Sequence, residues 1–193
     1  MKTTSMLYAA MFAAVIGVLG LMPPIPLPFT PVPVTAQTLG VMLAGSLLGA
    51  KLGGGSVLLF VALVAVGMPL LAGGRGGLGI LLGPSGGYVL SWPIAAFVIG
   101  WLIEKTKPAL YAWKAVAVNC IGGILIIHSI GIIYLAFVAN LPLYQAALSS
   151  LGFLPGDTAK AVGSGLLTVK LARSHPFLVK SQQSRLEKTK RAG

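Results

Sequence analysis

Charge is scarce in this chain: 9% of its 193 residues are Asp, Glu, Lys or Arg, and only three of those are acidic. Soluble domains carry about 25% charged residues, so a surface solvated by water alone is excluded. Cysteine is scarcer still. Cys120 stands alone, which excludes an internal disulfide, and one thiol in an apolar stretch is packing before it is chemistry. Zinc-type Cys and His spacings are missing, so no metal is expected. Nucleotide motifs are missing too. The stretch from Gly73 to Gly79 contains a GxGxxG spacing, but a dinucleotide fingerprint needs a preceding strand, a following helix and a βαβ unit, none of which surrounds it. Gly45, Gly49 and Lys51 fall short of a phosphate loop in spacing, with no Ser or Thr behind the lysine. No cofactor is expected.

What is present is apolar: 56% of the residues are hydrophobic, with a mean hydropathy of +0.92. A helix crosses the hydrocarbon layer in about 20 apolar residues, so this length holds up to six crossings and no separate soluble domain. Six apolar segments can be marked, at residues 6–22, 34–50, 54–72, 87–103, 115–139 and 155–173. The expected fold is all-α, a polytopic bundle of six transmembrane helices over residues 1–173, followed by a basic tail over 174–193. Six prolines between Pro23 and Pro33 fix the dihedral and remove donors, so that run reads as an extended loop. A glycine-rich stretch at 73–87, a polar hinge at 104–114 and a loop at 140–152 make the other connections. Lys2 followed by an apolar run resembles a secretory signal peptide, but no small-x-small cleavage pattern follows Leu21, and a retained segment is expected. No internal repeat is visible.

The net charge of +11 raises nucleic-acid binding as a possibility, and the distribution decides against it. Placing the helices in order puts twelve of the 14 cations on one side: Lys2, Lys51, Lys105, Lys107, Lys114, Lys170, Arg173 and five in the last twenty residues. Arg75 and Lys160 are left on the other. Translocation disfavours Lys and Arg in short loops, so both termini are expected in the cytoplasm of a multi-pass cell-membrane protein. The tail is expected to meet anionic membrane lipid or to be disordered.

Ionisable groups outside but close to the membrane are functional candidates. Asp157 is the only aspartate, at the outer start of the sixth segment, and Lys160 follows one helical turn later. Asp157 alone could cap its helix, and Lys160 could snorkel outward; together, facing one cavity, they would offset each other and leave groups for a ligand. Gly73, Gly74, Gly76 and Gly77 around Arg75 suit a loop that folds over a ligand, or an ordinary turn. In the first segment Ala9, Ala13 and Gly17 repeat at i, i+4 and i+8, beside Ala10 and Ala14. Such a stripe serves packing within the bundle or docking of another subunit. His128 lacks a second ligand at metal spacing and reads as a hydrogen-bonded bundle histidine.

In order along the chain stand Ala9-x-x-x-Ala13, Pro33-Val34-Thr35-Ala36-Gln37-Thr38-Leu39, Pro69-Leu70-Leu71-Ala72-Gly73-Gly74-Arg75-Gly76-Gly77, Leu82-Gly83-Pro84-Ser85-Gly86-Gly87-Tyr88, and Phe153-Leu154-Pro155-Gly156-Asp157-Thr158-Ala159-Lys160. In these pieces the sequence resembles the BioY family, the biotin-binding S component of energy-coupling-factor (ECF) vitamin transporters, from about Met1 to Lys170. The resemblance implies a six-helix bundle that binds biotin from outside, driven by a transmembrane coupling protein and two cytoplasmic ATPases. It also implies that Ala9, Ala13 and Gly17 dock the coupling subunit. Biotin carries a ureido group, an apolar fused ring and a carboxylate, which would engage Asp157, Lys160 and Arg75, with Tyr88, Trp92 and Phe153 as walls and Gly73 and Gly74 in the lid. The fifth segment matches the family poorly around His128, and no residue is assigned from it. Rival readings are an S component for thiamine, riboflavin or folate, a small membrane enzyme using Asp157 and Lys160 as an acid/base pair, and a purely structural subunit. Thiamine is cationic and ill suited to a site with two cations.

Overall fold

The structure, a computed structural model, describes residues 3–106 and 111–174. Its elements run α1 (Thr3–Leu19), β1 (Ile25–Leu27), β2 (Thr30–Val34), α2 (Gln37–Leu48), α3 (Ala50–Ala65), α4 (Leu78–Leu81), α5 (Gly86–Thr106), α6 (Ala112–Cys120), a π-helical turn (Ile121–Ile126), α7 (Ile127–Val138), α8 (Leu143–Ser150), a 3-10 turn (Leu151–Phe153) and α9 (Leu154–Ser174). Helix dominates, and each of the six apolar segments carries one of the longer helices. Among the described residues, α5 and the continuous Ala112–Val138 are long and apolar enough to cross a membrane by themselves. Helices α1, α2 and α3 are shorter but apolar. Residues 107–110 of the expected polar hinge, and most of the expected basic tail, lie outside the described residues.

Three expectations need correction. The proline run is not a plain loop: β1 and β2 pair antiparallel, Ile25 with Val34 and Leu27 with Thr30, so a two-stranded hairpin joins an otherwise helical fold. Prolines are tolerated there because every residue of a two-stranded ribbon lies on an edge. The segment marked at 54–72 is helical only over Ala50–Ala65. Gly67 at φ +108° and Pro69 behind it end the helix early. The loop marked at 140–152 folds into α8 and the 3-10 turn.

Glycines and alanines set the helix spacing. A Cβ on Gly100 would lie 2.3 Å from the Ala50 nitrogen, and one on Gly45 would lie 2.5 Å from the Ala96 carbonyl oxygen, so α5 packs backbone to backbone against α2 and α3. In lipid such close approach replaces the missing hydrophobic drive between helices. Gly49, at φ +80°, turns the chain from α2 straight into α3, a conformation open to glycine without the steric cost borne by other residues. Around this frame Ile16, Val41, Val57, Phe60 and Trp92 form the core, with Phe60 and Trp92 stacked at 6.0 Å.

Candidate functional site

One end of the bundle holds about 580 Å³ of empty space that merges with the exterior. Its walls come from β2, the start of α2, the turn after α3, and the N-terminal ends of α5, α7 and α9. Asp157, Lys160, Arg75, Tyr88, Trp92 and Phe153 all line it.

Asp157 lies in the first turn of α9 and is 4% exposed. Its Oδ1 accepts from Lys160 Nζ at 2.8 Å and from Thr38 Oγ1 at 3.2 Å, while Oδ2 accepts from His128 Nε2 at 3.0 Å. The carboxylate therefore joins α9 to α2 and α7 and does not cap its own helix. Lys160 Nζ donates also to the Thr35 carbonyl oxygen at 2.6 Å and to Thr38 Oγ1 at 3.0 Å, which uses all three ammonium protons. The outward-snorkelling alternative for Lys160 is thereby excluded. A carboxylate has about four acceptor positions; three are used here, leaving one on Oδ2. Buried ion pairs offset their desolvation only when such extra hydrogen bonds are made, and here they are.

Above the pair lies an aromatic corner. Tyr88, His128 and Phe153 pack with ring centroids 5.8 to 5.9 Å apart, and Tyr88 shares a 2.6 Å hydrogen bond with Ser150. Glycines make room for it: a Cβ on Gly131 would lie 2.4 Å from the Tyr88 ring.

Arg75 reaches the wall from a tight turn in which Leu71 and Arg75 exchange backbone hydrogen bonds of 2.9 and 3.2 Å. Gly73 and Gly74, at φ +79° and +67°, supply the left-handed conformations this turn requires. They are not among the wall residues. Arg75 Nε donates to the Ala72 carbonyl oxygen at 3.0 Å, and no acid pairs with its guanidinium among the described residues. Gln37, 1% exposed, fixes the turn to the frame: its Nε2 donates to the carbonyl oxygens of Ile16 and Leu70, and its Oε1 accepts from the Ala72 N–H at 3.0 Å.

The small-residue stripe of α1 is turned inward. Ala13 is 5% exposed within the core, and a Cβ on Gly17 would meet Leu70 and Phe60. Ala9 is half-buried, with its carbonyl oxygen accepting from Ser56 Oγ at 2.6 Å. This row packs against α3, with Ala9 and Gly17 half-buried, and the exposed small residues of α1 are Ala10 and Ala14, one residue around the helix.

Sequence reasoning left out His128, Thr35, Thr38 and Gln37 as site residues. His128 comes just after the π-helical turn, whose wider winding adds a residue and rotates the remainder of the helix by about 100° relative to a regular one. With no second ligand at metal spacing, it reads as a hydrogen-bonded bundle histidine, and its partner proves to be Asp157. The available signal was chemical: a lone buried aspartate needs more than one donor.

The family model described as BioY family matches residues 1–177. Biotin transporter BioY of Rhizobium etli is 44% identical over 183 residues, covering 92% of this chain and 98% of that protein. Biotin transporter BioY of Lactococcus lactis subsp. cremoris is 40% identical over 178 residues, covering 91% and 94%. A crystal structure described as the S-component for biotin from an ECF-type ABC transporter superposes with a TM-score of 0.86 at 38% identity, covering 89% of this chain and 92% of that one. With a cavity of this composition in a fold of this kind, and a match over nearly its whole length, the chain belongs to the BioY family.

Proposed function

We infer that this chain is the biotin-binding membrane component of an ECF-type uptake transporter and that the cavity around Asp157 is its substrate site. The observation that carries the reading is the buried carboxylate with one acceptor position left over, on the wall of a mostly apolar cavity. That position suits a ureido N–H. Lys160, its protons committed, orients Asp157, and the guanidinium of Arg75 is the cation left to meet the carboxylate of biotin. Tyr88, Trp92 and Phe153 flank the fused ring. The relatives are transporters, and an acid/base role for Lys160 would require breaking three hydrogen bonds at once.

The chain crosses the cell membrane six times, through α1, α2, α3, α5, the α6–α7 stretch and α9, with both termini in the cytoplasm. The supporting observation is the charge bias: twelve cations on one side against Arg75 and Lys160, both at the cavity, on the other. Biotin accordingly enters from outside, beneath the turn bearing Arg75. Energy comes from a transmembrane coupling protein and two cytoplasmic ATPases, since the chain has no nucleotide motif, and the Ala10 and Ala14 face of α1 is the small-residue surface open to the coupling protein. Titration of the detergent-purified protein with biotin, thiamine, riboflavin and folate tests the reading. Saturable one-to-one binding of biotin alone is expected; binding of another vitamin in its place would overturn it.

A further inference from the structure

One buried amide ties the turn that carries Arg75 to the helical frame. Gln37, the first residue of α2, donates from Nε2 to the carbonyl oxygens of Ile16 in α1 and of Leu70, at 3.1 and 3.0 Å, and accepts on Oε1 from the Ala72 N–H at 3.0 Å. The reverse placement of the amide would set its oxygen against two carbonyl oxygens and its NH2 against an N–H, so these partners fix its orientation. Both amide protons are thereby committed. Gln37 borders the cavity, but it has no donor left for a ligand, and any influence it has on one must pass through the groups it holds.

The next group in line leads to the cation. Ala72, 1% exposed, gives its N–H to Gln37 and accepts on its carbonyl oxygen from Arg75 Nε at 3.0 Å. A single alanine therefore stands between the amide of Gln37 and the guanidinium of Arg75. The bond to Ala72 uses Nε and leaves the four N–H groups on the terminal nitrogens for a planar, two-oxygen partner. The rest of the turn is pinned without Gln37: Leu71 and Arg75 exchange backbone bonds, the Gly77 N–H donates to the Val64 carbonyl oxygen at 2.8 Å, and a Cβ on Gly76 would collide with the Met68 carbonyl oxygen. Loss of the amide leaves a turn in place but releases the Ala72 peptide groups, and with them the guanidinium.

We propose that Gln37 is a positioning residue for Arg75 and, acting through Ala72, sets the preference of the site for a ligand that ends in a carboxylate. The proposal rests on the biotin reading above, in which Arg75 meets the carboxylate of biotin, and deepens it. An arginine pairs strongly with a carboxylate when two of its N–H groups meet the two oxygens in one plane, so the aim of the guanidinium counts as well as its charge. Arg75 sits between Gly73, Gly74, Gly76 and Gly77, neighbours without side chains to steady it. The hold comes from α2 instead, with the carbonyl oxygen of Ile16 in α1 fixing the other side of the amide.

The test titrates the full-length purified protein with biotin and with biotinamide, whose tail is uncharged, by calorimetry. Gln37→Met keeps the length of the side chain and removes the amide. It is expected to weaken biotin binding about tenfold and biotinamide binding about twofold or less, so that the preference for the acid narrows. A general loosening of the cavity would lower both affinities alike, and the ratio between them therefore reads the aim of Arg75. Arg75→Met should narrow the preference in the same way, and adding Gln37→Met to it should cost biotin about twofold or less, because no guanidinium is left to aim. Gln37→Asn, which withdraws the amide by one methylene, should also narrow the preference and serves if Gln37→Met does not fold. An unchanged preference in the Gln37 variants would overturn the proposal, as would equal losses for the two ligands or additive losses in the double variant. A native preference in Arg75→Met would remove Arg75 from the acid end, and the proposal with it, while leaving a biotin site at Asp157 standing. Failure of the native protein to bind biotin would overturn the substrate reading itself.

Discussion

Asp157→Asn changes one atom and separates the two tasks assigned to this carboxylate. In the native site it accepts from Lys160, His128 and Thr38 at 2.8, 3.0 and 3.2 Å. The carboxamide turns one oxygen into a donor, which must face either the His128 N–H or the Lys160 ammonium, and it leaves a lysine whose side chain is 16% exposed without its counter-ion. Removing one partner of a buried pair costs about 3 to 5 kcal/mol, and the residual exposure of Lys160 argues for the lower end. That cost falls on the fold, lowering the melting temperature while helix content and membrane insertion persist. The cost to binding is separate. A hydrogen bond to a charged acceptor contributes about 1.5 to 3 kcal/mol, and a misoriented His128 adds to that, so affinity for biotin should fall by about 100-fold or more. The double variant Asp157→Asn, Lys160→Met removes both charges and should recover most of the stability and none of the affinity. Calorimetry and thermal melts of the three proteins in detergent measure both quantities. Binding within twofold of native in Asp157→Asn would refute the reasoning, as would recovery of binding in the double variant.

Other substitutions test the supporting structure. Gln37→Ala removes the partner of three backbone groups; a loss of about 1 to 3 kcal/mol should appear in thermal melts, with faster hydrogen exchange at the Ala72 amide. Gly74→Val keeps open space around the new side chain but holds it at φ +67°, costing about 1 to 2 kcal/mol and raising the dissociation rate of biotin in stopped-flow measurements. Gly131→Ala drives a Cβ into the Tyr88 ring, and overpacking should cost about 1 to 3 kcal/mol together with affinity, read by melting and titration. Gly163 lies within α9, exposed, with nothing within 4 Å of an added Cβ; Gly163→Ala should stabilise by about 0.5 to 1 kcal/mol and leave binding unchanged.

The helices were legible where apolar runs are long, and the pairing of Asp157 with Lys160 was legible because one acid among so few has few partners to choose. Three-dimensional tasks were not. Ala9 and Ala13 carry the same small side chains as Ala10 and Ala14, and only the direction in which α1 docks on α3 decides which row is covered. Gln37 and Thr38 sit inside a recognisable motif, yet their roles depend on the turn at 71–75 and on α9, 119 positions further along in the case of Asp157. His128 was legible as a hydrogen-bonded bundle histidine but not as a partner of Asp157, which lies 29 positions further along. The hairpin within the proline run depends on cross-strand bonds that no periodicity announces.

The substrate assignment is tested most directly by native mass spectrometry of the protein purified from cells supplied with biotin. The expected spectrum shows the chain carrying one added mass equal to biotin, present in the native protein and missing in Asp157→Asn. A different adduct in its place, or a biotin adduct of equal abundance in both proteins, would contradict a biotin site built around Asp157.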